Sequence, residues 1–267
     1  MNENNNLKPI CVIDTGVGGL SVVKALSKLS SKENIHYFAD TANLPYGYKS
    51  KDLIKKLSFY LVQKAIKQSN PKLIVIACHT ISVTALEDMQ KEISIPIIGM
   101  LNPSILGLSK IVTENNINSL GILSTKATFD SKAYQNGLKN LALTLNEKAV
   151  GSLVSLVEEN CFNHAELVMI LNTMLSDNIK NSDALLLGCT HFSALSNVLK
   201  DVCKNSCLII DAADLVASNV MQTLEAAKAL SSTAKPTIKL FVTDNPERFK
   251  HAAKQFIEMD YEINLCE

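Results

Sequence analysis

Leu73-Ile74-Val75-Ile76-Ala77-Cys78-His79-Thr80 and Ala184-Leu185-Leu186-Leu187-Gly188-Cys189-Thr190-His191 follow one plan. Each is a short unbroken apolar run that stops at a cysteine and continues into hydroxyl and imidazole groups. Apolar runs of this length predict strands buried on both faces in the middle of a parallel sheet. Ligands bind outside the carboxyl ends of such strands, so the groups that close both runs are candidate site residues. The cysteines lie 189 − 78 = 111 residues apart, one in each half of the chain. Two thiols on opposite sides of a cleft can take a proton from one face of a carbon and return it to the other, as a cofactor-independent racemase must.

Outward from these runs, strands are predicted at 10–14, 36–39, 73–77, 96–99, 120–123, 184–188, 208–211 and 239–243. Helices are predicted at 20–29, 52–68, 82–92, from the Ser124-Thr125 turn through 138, and at 165–175, 213–230 and 246–259. Strands alternating with helices imply mostly parallel sheets. Strand, hydroxyl-rich turn and helix at Asp14 are echoed at Ser124-Thr125, and the strand ending in Cys78 by that ending in Cys189. The pattern restarts near Asn102-Pro103. The predicted fold is therefore α/β, two similar doubly wound lobes with the active site in the cleft between them.

The 267 residues, 47% of them apolar, can build full cores. Basic and acidic residues balance at 26 each, and no basic run offers a footprint for nucleic acid. No segment has the apolar length of a membrane span, and Met1–Lys8 lacks a signal-peptide core, so a cytoplasmic protein without membrane partners is expected. Seven scattered cysteines read as free thiols. Arg248 is the sole arginine. A site built from several arginine clamps is excluded, and an anionic substrate must be held by hydroxyls, amides, imidazoles, lysines or backbone N–H groups.

A buried inert thiol is the ordinary state of a free cysteine, and Cys11, Cys161, Cys203, Cys207 and Cys266 are read so. Cys78 and Cys189 instead precede polar groups, and helices starting just after them are expected to lower their pKa. His79 and His191 each neighbour a site cysteine. A zinc site from Cys78, His79, Cys189 and His191 is the alternative; adjacent residues rarely ligate one tetrahedral ion, so no metal is assigned. Asp14 ends a strand in the turn Thr15-Gly16-Val17-Gly18-Gly19, where it reads either as a helix cap or as a site acid. Asp-Thr-Gly also occurs in aspartic proteases, an all-β context that the following helix excludes. The glycines alone are a weak phosphate signal, with no Walker lysine after them.

Taken in order, Asp14-Thr15-Gly16-Val17-Gly18-Gly19-Leu20-Ser21-Val22, Pro45-Tyr46-Gly47, Ala77-Cys78-His79-Thr80, Thr125 with Thr128, Gly188-Cys189-Thr190-His191 and Thr243-Asp244-Asn245-Pro246-Glu247-Arg248-Phe249 resemble the glutamate racemases of the aspartate/glutamate racemase family. Gly-Cys-Thr-His separates that group from aspartate racemases, which tend to have Glu after Thr. The resemblance implies a first lobe of residues 1–100 plus 211–267 and a second of 101–210. It implies that Cys78 and Cys189 are the acid/base pair, assisted by Asp14, His191 and Glu158. Asp14, Thr15, Pro45, Tyr46, Gly47, Cys78, His79, Thr80, Thr125, Thr128, Cys189, Thr190 and His191 would contact the substrate. Glutamate would be that substrate, no cofactor would be needed, D-glutamate would go to peptidoglycan synthesis, and the protein would be a homodimer. A racemase for another amino acid such as aspartate, or a catalytically weak amino-acid-binding homologue, is the alternative. The family usually has Asn at the His79 position, Ser at Thr15, Pro at Ser193 and Cys-Pro at Gly151-Ser152.

Overall fold

The computed structural model describes residues 6–30, 32–160 and 162–266. In chain order the strands are β1 (Ile10–Asp14), β2 (Ile35–Ala39), β3 (Leu73–Ile76), β4 (Ile97–Gly99), β5 (Ser119–Ser124), β6 (Thr144–Ala149), β7 (Ala184–Gly188), β8 (Leu208–Asp211), β9 (Ile238–Val242) and β10 (Glu262–Leu265). They form two sheets, in the orders β10-β9-β2-β1-β3-β4 and β6-β5-β7-β8. Every strand pairing is parallel. The cores of the two sheets, β2-β1-β3-β4 and β6-β5-β7-β8, repeat one order, and each cysteine follows the third strand of its set.

Side chains of successive strand residues point to opposite faces. On one face of the first sheet Cys11, Ile13, Phe38, Ile74 and Ile76 pack with Ile54, Leu61 and Val62 of helix Lys51–Ser69. On the other, Ile10, Val12, Tyr37, Leu73 and Val75 join Leu20, Val23 and Leu26 of helix Leu20–Leu29. That second core runs on into the second lobe through Val216, Ala217 and Val220 of helix Ala212–Ala226 to Leu185 and Leu187 of β7. Remote from the cleft, Lys72 and Glu33 form an ion pair at 2.6 Å with side chains only 1% and 2% exposed. Lys72 also donates to the carbonyls of Asn6 and Ala229, and Ser231 N–H donates to Glu33, which ties four segments together.

Several elements differ from the sequence expectation. Helix 82–92 begins earlier, at His79, and is split at Ala85 into His79–Thr84 and Leu86–Glu92. The helix through 138 is split at Lys132, whose φ of 54° lies in the left-handed region. The helices Ala212–Ala226 and Pro246–Ala253 stop short of 230 and 259. Strands β6 and β10 and the helices Leu101–Glu114 and Ser152–Glu159 lie where none was assigned. Cys189 leads into a 3₁₀ segment, Thr190–Leu195, and the α-helix starts only at Ser196. Cys11 and Cys203 are buried as expected, Cys207 and Cys266 only half-buried, and Cys161 lies outside the described residues. No described helix is long and apolar enough to cross a membrane.

Candidate active site

A cavity opens at the carboxyl ends of β1, β3, β5 and β7. Cys78 and Cys189, from different sheets, both line it, with Thr15, Tyr46, Gly47, His79, Thr80, Thr125, Thr190 and His191. Pro45 also lines it, after a cis Leu44-Pro45 bond. Tyr48, Lys126, Gly151 and Val154 complete the wall and were not foreseen. In the sequence Gly151 stands out only as a departure from the family, and the others carry no local signal.

Asp14 is fully buried behind the wall. It does not cap the helix Leu20–Leu29, which has no side-chain cap. Its Oδ1 accepts from Thr15 N–H at 2.5 Å, and its Oδ2 from the Thr190 hydroxyl of the other lobe at 3.1 Å. Burial raises its pKa, against the opposing pull of the nearby His191.

The Gly-rich turn serves close approach rather than phosphate. A Cβ on Gly16 would sit 1.9 Å from Glu158 Oε1, and one on Gly18 2.5 Å from His191 Nδ1. Bare backbone here lets Glu158, reaching over from helix Ser152–Glu159, accept from Val17 N–H at 2.9 Å and meet His191 Nε2 at 2.5 Å. On the ring's other side Nδ1 lies 3.8 Å from Cys189 Sγ. Burial works against a charged His191, but the hydrogen bonds to Cys189 and Glu158 and the Glu158 charge outweigh it and hold the ring well above its usual pKa. These partners favour the charged ring beside the Cys189 sulfur. Beneath the turn, the buried Tyr37 hydroxyl donates to Gly16 C=O at 2.5 Å.

Cys78 is held differently. The expected effect of the following helix exists, since the N–H groups of Ile81 and Thr80 favour its thiolate. Burial dominates, though, and the Asp14 charge adds to it, so the thiol lies well above its usual pKa. This reverses the expectation of a lowered value. Next to it His79 is buried, neutral, and brought down to about 3 by desolvation. A Cys78 thiolate thus has no imidazolium partner.

The hydroxyls of Thr80, Thr125 and Thr128 form a chain across the lobes, each 3.1 Å from the next. Thr128 itself is fully buried behind Thr125. Tyr46 Oη donates to Asp40 Oδ2 at 2.6 Å, while the Thr243 hydroxyl donates to Asp40 Oδ1 at 2.9 Å. Thr41 further bonds Asp244, so the C-terminal Thr243–Phe249 stretch steadies the Tyr46 loop. Arg248 stays outside the cavity, paired with Glu159. Among the described residues no group of three or more His, Cys, Asp or Glu is placed to hold a metal ion.

Fold and site together define a class: a two-lobed parallel α/β protein whose ligand cleft carries one cysteine at the matching strand end of each lobe. The chain belongs to the Asp/Glu/Hydantoin racemase family, whose sequence pattern matches residues 10–220. It is 37% identical to the glutamate racemase of Chlorobium phaeobacteroides, over 97% of this chain and 96% of that protein. Its fold superposes with a TM-score of 0.84 on Thermus thermophilus glutamate racemase in complex with beta-chloro-D-alanine, at 31% identity over 98% and 97% of the two chains. The glutamate racemase of Francisella tularensis in complex with D-glutamate gives a TM-score of 0.84 and 30% identity over 98% of each chain.

Proposed function

We propose that this protein interconverts L- and D-glutamate without a cofactor, with Cys78 and Cys189 as its two acid/base groups. The observation that carries the reading is the pair of thiols at matching strand ends of the two sheets, lining one cavity and close enough for charge on Cys189 to raise Cys78 further.

The α-hydrogen of an amino acid is a very weak acid, so the site must stabilise a carbanion-like transition state with fixed dipoles in a dry cleft. The hydrogen bonds and charge that favour a cationic His191 lie on the Cys189 side, while burial and the Asp14 charge favour the thiol form of Cys78. Cys189 then takes the α-proton of L-glutamate and Cys78 delivers its own proton to the opposite face. The reverse reaction begins with the roles exchanged. Glu158 orients His191, Thr190 faces the substrate, and Asp14 holds Thr15 and Thr190 from behind the wall. Thr15, Tyr46, Gly47, His79, Thr80 and Thr125 grip its polar groups, with Thr128 supporting Thr125. Such a site needs no arginine, which agrees with the position of Arg248 outside it.

The same reading divides the chain into lobes of 1–100 plus 211–267 and of 101–210, and places a homodimer in the cytoplasm that supplies D-glutamate for peptidoglycan. Sedimentation mass relative to the 29.1 kDa chain tests the dimer. The activity is tested by incubating the purified protein with L-glutamate in deuterated water and following optical activity and α-deuterium incorporation. Racemisation with deuterium gain is expected. Absence of both, or turnover of aspartate alone, overturns the proposal.

A further inference from the structure

His79 opens the helix His79–Thr84 directly after Cys78 and is 2% exposed. Its Nε2 lies 2.8 Å from the hydroxyl of Tyr134, a fully buried residue of the helix Ala133–Leu138 in the second lobe. Its Nδ1 is buried and has no hydrogen-bond partner, although the residue lines the cavity. Buried polar atoms of this kind are rare, because leaving one unpaired costs most of its desolvation energy. A ligand group is the natural partner for one on a cavity wall.

The kind of partner follows from the phenol. A neutral imidazole has one N–H and one lone pair, and whichever nitrogen accepts leaves the proton on the other. A phenol hydroxyl is a good donor, and an imidazole nitrogen is a much stronger acceptor than a phenol oxygen. The nearby Ser104 hydroxyl gives its own proton to Met100 C=O at 2.6 Å. The favoured pair is Oη–H···Nε2, with the His79 proton on Nδ1. The neighbouring Thr80–Thr125 hydroxyls are also able to donate, and the Asp14 carboxylate already accepts from Thr15 and Thr190.

We infer that Tyr134 is a positioning residue that holds His79 across the lobes with Nδ1–H directed at a carboxylate of the bound amino acid. This rests on the glutamate reading given above. An Asn in place of His79 would present its amide without needing a partner, so the role of Tyr134 belongs to the histidine.

The test labels the five histidines with ¹⁵N and reads the His79 tautomer from long-range proton–nitrogen correlations, with assignment by His79→Asn. In the free protein the proton is expected on Nδ1, and D-glutamate should shift that resonance. Tyr134→Phe keeps the ring in its pocket and releases Nε2; both tautomers should then appear, with KM raised about tenfold and kcat within threefold of the parent. In the His79→Asn background, Tyr134→Phe should change KM less than twofold. A proton found on Nε2 in the free parent protein overturns the inference, as does an undiminished Tyr134→Phe penalty in that background. Failure of the glutamate reading looks different: the parent protein neither racemises glutamate nor responds to it in the spectra, while the tautomer of the free protein still reports on Tyr134.

Discussion

Replacing Glu158 by Gln isolates the electrostatics of one face of the site. The amide keeps the shape and an oxygen for Val17 N–H at 2.9 Å, but it removes the negative charge 2.5 Å from His191 Nε2. Both residues are more than nine-tenths buried, so water cannot replace that charge. A buried hydrogen bond to a charged group is worth about 1.5–3 kcal/mol, which corresponds to a roughly 10- to 100-fold fall in rate if the imidazolium is needed in the transition state. The two enantiomers have equal free energy, so kcat/KM must fall equally in both directions; the separate kcat values need not. The pH profile supplies the sign. His191 is held above its usual pKa, and without the Glu158 charge it deprotonates earlier, so the alkaline limb of kcat/KM should move to lower pH. The linked stabilisation is fully present below the unfolded pKa of about 6.5 and fades as pH rises through the higher folded value. In Glu158→Gln that fading should start at the same pH, be smaller, and be complete at lower pH. The assay is optical rotation from each enantiomer across pH. A variant within twofold of the parent, with an unmoved alkaline limb, would refute the charge argument.

Ser in place of Cys78 or Cys189 should cut racemisation by ~10² or more, while each variant still eliminates halide from one enantiomer of a β-halogenated glutamate, a reaction that needs a single base; halide release and racemisation measured side by side decide this. Gly18→Ala would put a methyl 2.5 Å from His191 Nδ1 and 2.8 Å from its backbone N, so activity should drop at least tenfold with the circular dichroism spectrum intact. Lys72→Met leaves Glu33 buried without its partner and should cost about 3–5 kcal/mol, lowering Tm by roughly 10 °C or more in a melting scan. Dialysis against a strong chelator should leave the rate unchanged; a loss restored by zinc would return attention to the Cys/His alternative.

The strands that carry the site were legible because, apart from the terminal Asp14 of β1, they are apolar: all residues of β1, β3 and β7 are buried. β6 and β10 were not, because edge strands with one solvated side read Thr-Leu-Asn-Glu-Lys-Ala and Glu-Ile-Asn-Leu and carry little β signal. The helix Leu101–Glu114 hides behind Pro103, which is tolerated in its first turn. Motif residues announced the cavity wall, but not the ties behind it. Tyr37 under Gly16, Asp40 between Tyr46 and Thr243, and Tyr134 against His79 bring together residues far apart in the chain, and no spacing rule reports that. The raised pKa of Cys78 shows the same gap: a helix start is visible in sequence, whereas the depth of burial that overrides it is a property of the assembled lobes.

The shared order β2-β1-β3-β4 and β6-β5-β7-β8 has a consequence for handedness. A protein of L-residues cannot build a mirror plane, yet the proposed reaction turns a molecule into its mirror image. An approximate two-fold rotation relating the lobes would exchange Cys78 with Cys189, and Asp14-Thr15 with Ser124-Thr125. A proton acceptor above the substrate carbon then implies an equivalent one below, using nothing but L-amino acids. What breaks the equivalence is whatever the rotation does not copy: a His191 held above its usual pKa on one side, a His79 held below it on the other. Under the proposed mechanism the two faces of the site therefore differ, as those of a perfect repeat would not.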